Sequence, residues 1–156
     1  MGKHDTSSRF RLRAVAAAGL VALGVLGAVG TAQAETKTIK DTPCSVGVRA
    51  CVDVDEKQAW LISPEGEIER GPVDISPGAE DTPSPRGNFA VQWKDKNHYS
   101  KEYDAPMPWS VFFAPGGIAF HEGNLDNPSG GCIRLEEEDA EAFFNYLSVG
   151  DKVQVK

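Results

Sequence analysis

From Ala50 onward, apolar patterning comes only in short runs: "ACVDVD", "KQAWLIS", "EIERGPVDIS", "GNFAVQW", "WSVFFA", "GIAFH", "CIRL" and "KVQV". Pro, Gly and Asp residues cut each run off after a few positions. Segments of that length, carrying apolar residues at strand spacing, leave little room for long helices and predict a mainly β domain. "PEG" at 64–66 turns the chain between two such runs, and Phe89, Val91 and Trp93 are predicted to share one strand face. One segment breaks the pattern. Between Glu136 and Leu147, Ala140, Phe143, Phe144 and Leu147 fall at helical spacing, and four acidic residues crowd the first turn, where the helix dipole favours them. Two stretches, "SPGAEDTPSPRG" and "KDKNHYSKEYDAPMP", are predicted as long loops, which in a small domain often border binding sites.

The N-terminus has a different character. Lys3, Arg9, Arg11 and Arg13 precede an apolar run from Ala14 to Gly30, followed by Ala32-Gln33-Ala34. This order is that of a secretory signal peptide over residues 1–34; the alternative is an uncleaved anchor, the one route by which the chain would meet a membrane. Cleavage would leave about 122 residues, enough for one domain. That portion is expected to comprise an N-terminal extension over 35–50, polar and mobile over 35–43, and a folded domain over 51–156. It holds 12 Lys and Arg against 22 Asp and Glu, a net charge of about −10. No nucleic-acid partner is expected, because phosphate binding needs basic clusters that this chain lacks.

All three cysteines, Cys44, Cys51 and Cys132, follow the apolar segment, where export would let disulfides persist. Cys44 and Cys51 stand close enough in sequence to make a local disulfide the economical pairing. A zinc site would need more ligands at suitable spacing, so no metal is expected. That pairing leaves Cys132 over, either as buried filler or as a reactive thiol. The stretch "HEGNLDNPSGGCIRL" contains what a cysteine nucleophile needs. His121 can take the thiol proton, Gly130 and Gly131 allow close approach of backbone N–H groups, and Arg134, two positions beyond the sulfur on a strand, can bind a carboxylate. Spacing alone leaves both readings open.

"SGGCIRL" resembles the active-site signature of the L,D-transpeptidase family: Ser-x-Gly-Cys followed by an apolar residue and Arg or Asn. Further pieces agree in order. "TPSPRGNF" at 82–89 is similar to the family's Thr-Pro-x-x-Gly-x-Phe element with one extra residue. "MPWSVFF" matches a Met-Pro-aromatic element, "GIAFH" a strand ending in the catalytic histidine, and "EDAEAFFNYLSVGDKVQV" the closing helix and strand. The resemblance covers about Cys51 to Lys156 and implies a mixed β-sandwich or barrel with one principal helix near the C-terminus.

Carried over residue by residue, the resemblance implies that Cys132 is the acyl-accepting nucleophile and His121 the general base, with its ring oriented by the backbone carbonyl of Glu122. Gly131 and Cys132 would lend amides to the oxyanion. Ser129, Gly130 and Arg134 would support substrate or loop, while Met107, Trp109 and Phe120 would line the cleft. The implied function is cross-linking of third-position residues of peptidoglycan stem peptides through a thioester, outside the cytoplasm in the cell wall, a periplasm-like space or the medium. Donor and acceptor stems are the implied partners, carbapenems the expected acylating inhibitors, and no cofactor is implied. Trimming of stems by hydrolysis and a non-catalytic wall-binding module are the alternatives. This chain departs from many members in having Gly130 where a second histidine stands and Glu122 where glycine is common.

Overall fold

The structure, a computed structural model, describes residues 37–156, so the expected signal peptide lies outside the described residues. Strands β1 (Ala50–Asp53), β2 (Gln58–Ile62), β3 (Ile68–Asp74), β4 (Gly87–Ala90), β5 (Trp93–Ser100), β6 (Ala105–Ala114), β7 (Ile118–Glu122) and β8 (Ile133–Leu135) precede helix α1 (Glu137–Tyr146) and strand β9 (Lys152–Val155). They form two sheets, ordered β3-β2-β1-β9-β4 and β5-β6-β7-β8. Neighbouring strands run antiparallel except β1–β9 and β7–β8. This is the mainly β, one-helix architecture expected from the short apolar runs.

Period-two alternation explains how each sheet is used. In β1 and β2, Ala50, Val52, Ala59 and Leu61 face the main core, while Cys51, Trp60 and Ile62 face the opposite side. Because both faces are covered, these strands read as nearly continuous apolar runs. The outer cover is the N-terminal segment, whose Ile39, Cys44 and Val48 are buried there. Its expected mobility does not hold from Lys37 onward: the Ile39 amide donates to the Cys44 carbonyl (2.8 Å), the Ser45 amide donates to Gln154 Oε1 (2.7 Å), and Cys44 is bonded to Cys51. Ile39, Cys44 and Val48 seat the segment, and so few apolar residues produce no periodic signal.

The predicted loop over 94–108 is instead most of a β-hairpin, β5 and β6, turning at 101–104. β5 is an edge strand with polar residues on both faces, so it lacks the alternation that marks a half-buried strand. Pro106 and Pro108 fit because β7 pairs with β6 only from Val111 onward. Trp109 has φ of 58°, a left-handed conformation that breaks the alternation along β6. Met107 and Phe112 therefore lie on one face, whereas Trp109, Val111 and Phe113 face the main core.

Helix α1 packs against β6, β7 and β8 through Ala140 and Phe143, with Leu147 buried just beyond its end. An aromatic chain, Phe89–Phe113–Phe120–Phe143, crosses the core with ring centroids 5.8, 4.7 and 5.1 Å apart. Arg70 on β3 reaches Glu138 and Asp139 in the first turn of the helix, at 3.0 and 2.6 Å. The second sheet thus keeps one face on the core and helix and leaves the other for a cleft.

Candidate active site

The cleft, of about 780 Å³, lies over the second sheet. Along β7, Phe120 points into the core, so the residues on either side of it, Ala119 and His121, point toward the cleft. Parallel pairing of β7 with β8 sets Phe120 opposite Ile133 and His121 opposite Arg134. Cys132, one residue before β8, falls beside Ala119 on the same face. The eleven-residue interval between His121 and Cys132 is closed by the loop joining two adjacent strands. Both residues line the cleft.

That loop is held by the first of the predicted irregular stretches. Ser129 exchanges backbone bonds with the 77–79 segment, its amide donating to the Pro77 carbonyl (2.9 Å) and its carbonyl accepting from the Ala79 amide (3.0 Å). Ser76 Oγ donates to the Asn127 carbonyl (2.7 Å), Thr82 Oγ1 to the Ser129 carbonyl (3.2 Å) and Ser84 Oγ to the Gly131 carbonyl (2.8 Å). A Cβ on Gly78 would collide with the Thr82 carbonyl and lie 2.9 Å from the Cα of Gly131, so only glycine lets the two loops approach this closely. The Thr-Pro-Ser element is therefore the cradle of the loop that leads into Cys132.

His121 is 6% exposed, and its Nδ1 lies 2.6 Å from the Glu122 carbonyl oxygen. A carbonyl only accepts, so Nδ1 carries the proton and Nε2 is the basic nitrogen. Burial pushes the imidazole down to about 4; the Glu122 carbonyl opposes this, and the charges of Arg134 and His98 add to it. Cys132 is half-buried and free, its Sγ 3.7 Å from the Gly117 carbonyl. Burial pushes its thiol up, offset in part by the Ala119 backbone and by the charge of Arg134. Both shifts favour the neutral forms, so at neutral pH the pair rests as thiol and imidazole rather than as thiolate and imidazolium. Nearby, burial together with Glu137 and Glu136 raises the Glu122 carboxyl.

Most of the expected site residues meet here. Glu122, Ser129, Gly130, Arg134 and Met107 line the cleft with His121 and Cys132. Three assignments change. Phe120 lies in the core because β7 alternates, and Trp109 lies against Phe144 because its left-handed backbone turns it off the cleft face. The Gly131 amide, expected to meet an oxyanion, donates to Ser129 Oγ at 3.0 Å, and that hydroxyl donates to the Cys132 carbonyl at 2.5 Å. Arg134 turns its guanidinium to the Asn127 and Pro128 carbonyls (3.1 and 3.3 Å), which makes it a brace for the loop. Sequence reasoning missed the Ala119 backbone and Gly117 carbonyl at the sulfur, since backbone groups carry no residue-type signal. It also missed Tyr103, whose ring lies on Gly130 in the space a side chain there would need.

A profile of the L,D-transpeptidase catalytic domain (YkuD) matches residues 47–155. The chain belongs to the L,D-transpeptidase family. It is 27% identical over 107 residues to probable L,D-transpeptidase 3 of Mycobacterium tuberculosis, a match covering 56% of this chain and 40% of that protein. Among solved structures, an L,D-transpeptidase from Stackebrandtia nassauensis superposes with a TM-score of 0.67 at 23% identity, covering 81% of this chain and 61% of the other. An L,D-transpeptidase in complex with imipenem superposes at 0.64 with 21% identity, covering 70% and 59%. The chain thus spans less than two thirds of the length of each of these relatives. At such identities the structural matches establish a shared L,D-transpeptidase fold.

Proposed function

We propose that this chain is an exported cysteine acyltransferase that cross-links peptidoglycan stem peptides. The observation that carries the proposal is the placement of His121 and Cys132 in one cleft, with the imidazole oriented by the Glu122 carbonyl and the sulfur set against the Ala119 backbone. On this reading His121 Nε2 takes the thiol proton as Sγ attacks the carbonyl after the third residue of a tetrapeptide stem. The carbonyl oxygen becomes an oxyanion, met by the amide of Cys132 itself, since that of Gly131 is occupied by Ser129. The carbon–nitrogen bond then breaks, the terminal D-alanine leaves with the proton from His121, and a thioester remains on Cys132. An amine from the third residue of a second stem attacks that thioester, forms the new peptide bond and restores the thiol. The protein groups supply the base, the nucleophile and the oxyanion donor.

A neutral pair in the resting state assigns proton abstraction to the step of attack, so general-base catalysis should contribute about a hundred- to ten-thousand-fold. The imipenem complex of a relative supports β-lactam binding in this cleft. Intact-mass spectrometry after incubation with imipenem is expected to show one adduct on Cys132, absent in Cys132→Ala and formed at least about a hundredfold more slowly in His121→Ala. A tetrapeptide donor assayed with and without an acceptor amine separates joining from trimming. Near-normal cross-linking by Cys132→Ala would overturn the reading.

A further inference from the structure

Trp93, Phe112, Ala119 and Cys132 form one row across the second sheet. Trp93 pairs with Phe112 and Phe112 with Ala119, while the β7–β8 register brings Cys132 beside Ala119. Trp93, Phe112 and Cys132 line the same cleft, and Ala119 packs with Phe112 beneath it. The indole of Trp93 lies flat on the Phe112 ring, with centroids 3.7 Å apart and planes 6° apart, and the edge of His98 fixes it from a second side at 5.5 Å. One indole face is thus covered by Phe112, yet the residue remains 43% exposed. A rigid aromatic plane stands open at the end of the catalytic cleft.

We propose that Trp93 is the platform of a pyranose subsite that binds the amino sugar bearing the donor stem. The inference rests on the transpeptidase reading, because it is the stem's attachment to a sugar that supplies the ligand. Length supports it. Three strand spacings separate Trp93 from Cys132, about 14 Å in all. An extended stem of three residues spans about 10 Å, and the lactyl link to the sugar adds to that. With the third residue at the sulfur and the stem running along the row, the sugar reaches the indole.

Chemistry supports it as well. The aromatic face carries the negative side of the ring quadrupole, and the C–H-rich face of a pyranose presents polarised hydrogens to it. His98, whose Nδ1 lies 3.2 Å from Asp95 Oδ2, places a polar group beside the indole for a hydroxyl or acetamido group. An apolar wall with a few fixed polar groups is what a small-ligand site requires.

The test compares a disaccharide-tetrapeptide donor with the same tetrapeptide lacking sugar. In the wild-type protein kcat/KM should favour the sugar-bearing donor, and Trp93→Ala should lower that preference about tenfold, the scale of one aromatic contact. Trp93→Phe should restore most of it. A purely structural role would lower both rates together and leave their ratio unchanged, which would overturn the proposal. In parallel, the Trp93 indole N–H resonance of Cys132→Ala protein should shift on titration with the disaccharide-tetrapeptide, and should shift less with the bare peptide. An unmoved resonance in a protein whose wild type cross-links stems sinks the subsite alone. If the wild type turns over neither donor, the transpeptidase reading fails, and the indole titration still decides whether sugar binds.

Discussion

Protonating His121 would place a charge in a site that is 6% exposed and already faces the charges of Arg134 and His98. In the unfolded chain the imidazole has its ordinary value near 6.5, and in the folded protein it sits at about 4. Between these values the unfolded chain binds a proton that the folded one does not. Stability from this residue is therefore intact above pH 6.5 and declines as pH falls toward 4, by up to ~3 kcal/mol. Urea unfolding of wild type and His121→Gln across this range should show the two curves converging toward pH 4. The same shift keeps the imidazole unprotonated in mild acid. Imipenem acylation should accordingly lose its rate with an acid limb near pH 4 rather than near 6.5. A limb at the ordinary histidine value would refute the buried neutral base.

At the scale of elements, Cys132 follows a loop whose geometry is imposed by another loop. Ser84 Oγ accepts from the Gly78 amide (2.9 Å) and donates to the Gly131 carbonyl (2.8 Å), so one hydroxyl ties the cradle to the residue before Cys132. Ser84→Ala leaves the buried Gly131 carbonyl and the part-buried Gly78 amide without this partner and should cost about 2 kcal/mol. Chemical denaturation measures that loss, and slowed acylation of Cys132 in a still-folded protein is the expected companion. The turn over 101–104 meets the same loop from the other side. Tyr103 is 58% exposed and rests its ring on Gly130, so the Cβ of Gly130→Ala would displace it. Because the ring swings into solvent, overall stability should change by less than ~0.5 kcal/mol. Hydrogen exchange at 101–104 should rise.

At the scale of the whole molecule, the disulfide fastens the segment before β1 across the outer face of the first sheet. Replacing both Cys44 and Cys51 with Ala should lower unfolding free energy by about 2.5 kcal/mol, the loop-closure value for so short a ring, while imipenem labelling of Cys132 persists. Much of this architecture is legible in residue patterns. The strands with one face in the core show their alternation, α1 shows its stripe and acidic first turn, and the His121 and Cys132 pair emerges once the order of motifs is added to the spacing. What stays hidden has physical reasons. β5 is a polar edge strand without a period, the left-handed backbone at Trp109 reverses a face count that assumes regular pleating, and Trp93 opens the second sheet instead of continuing the Phe89 face. The Gly131 amide is committed by a serine hydroxyl two residues away, a choice of rotamer that composition does not encode. The local pairing of the two half-cystines also shapes maturation. They stand seven residues apart and end fully buried, so the bond can close as soon as its short segment orders and is then screened from exchange. A chain oxidised as it folds can close this staple early and leave Cys132 outside the pairing as a free thiol.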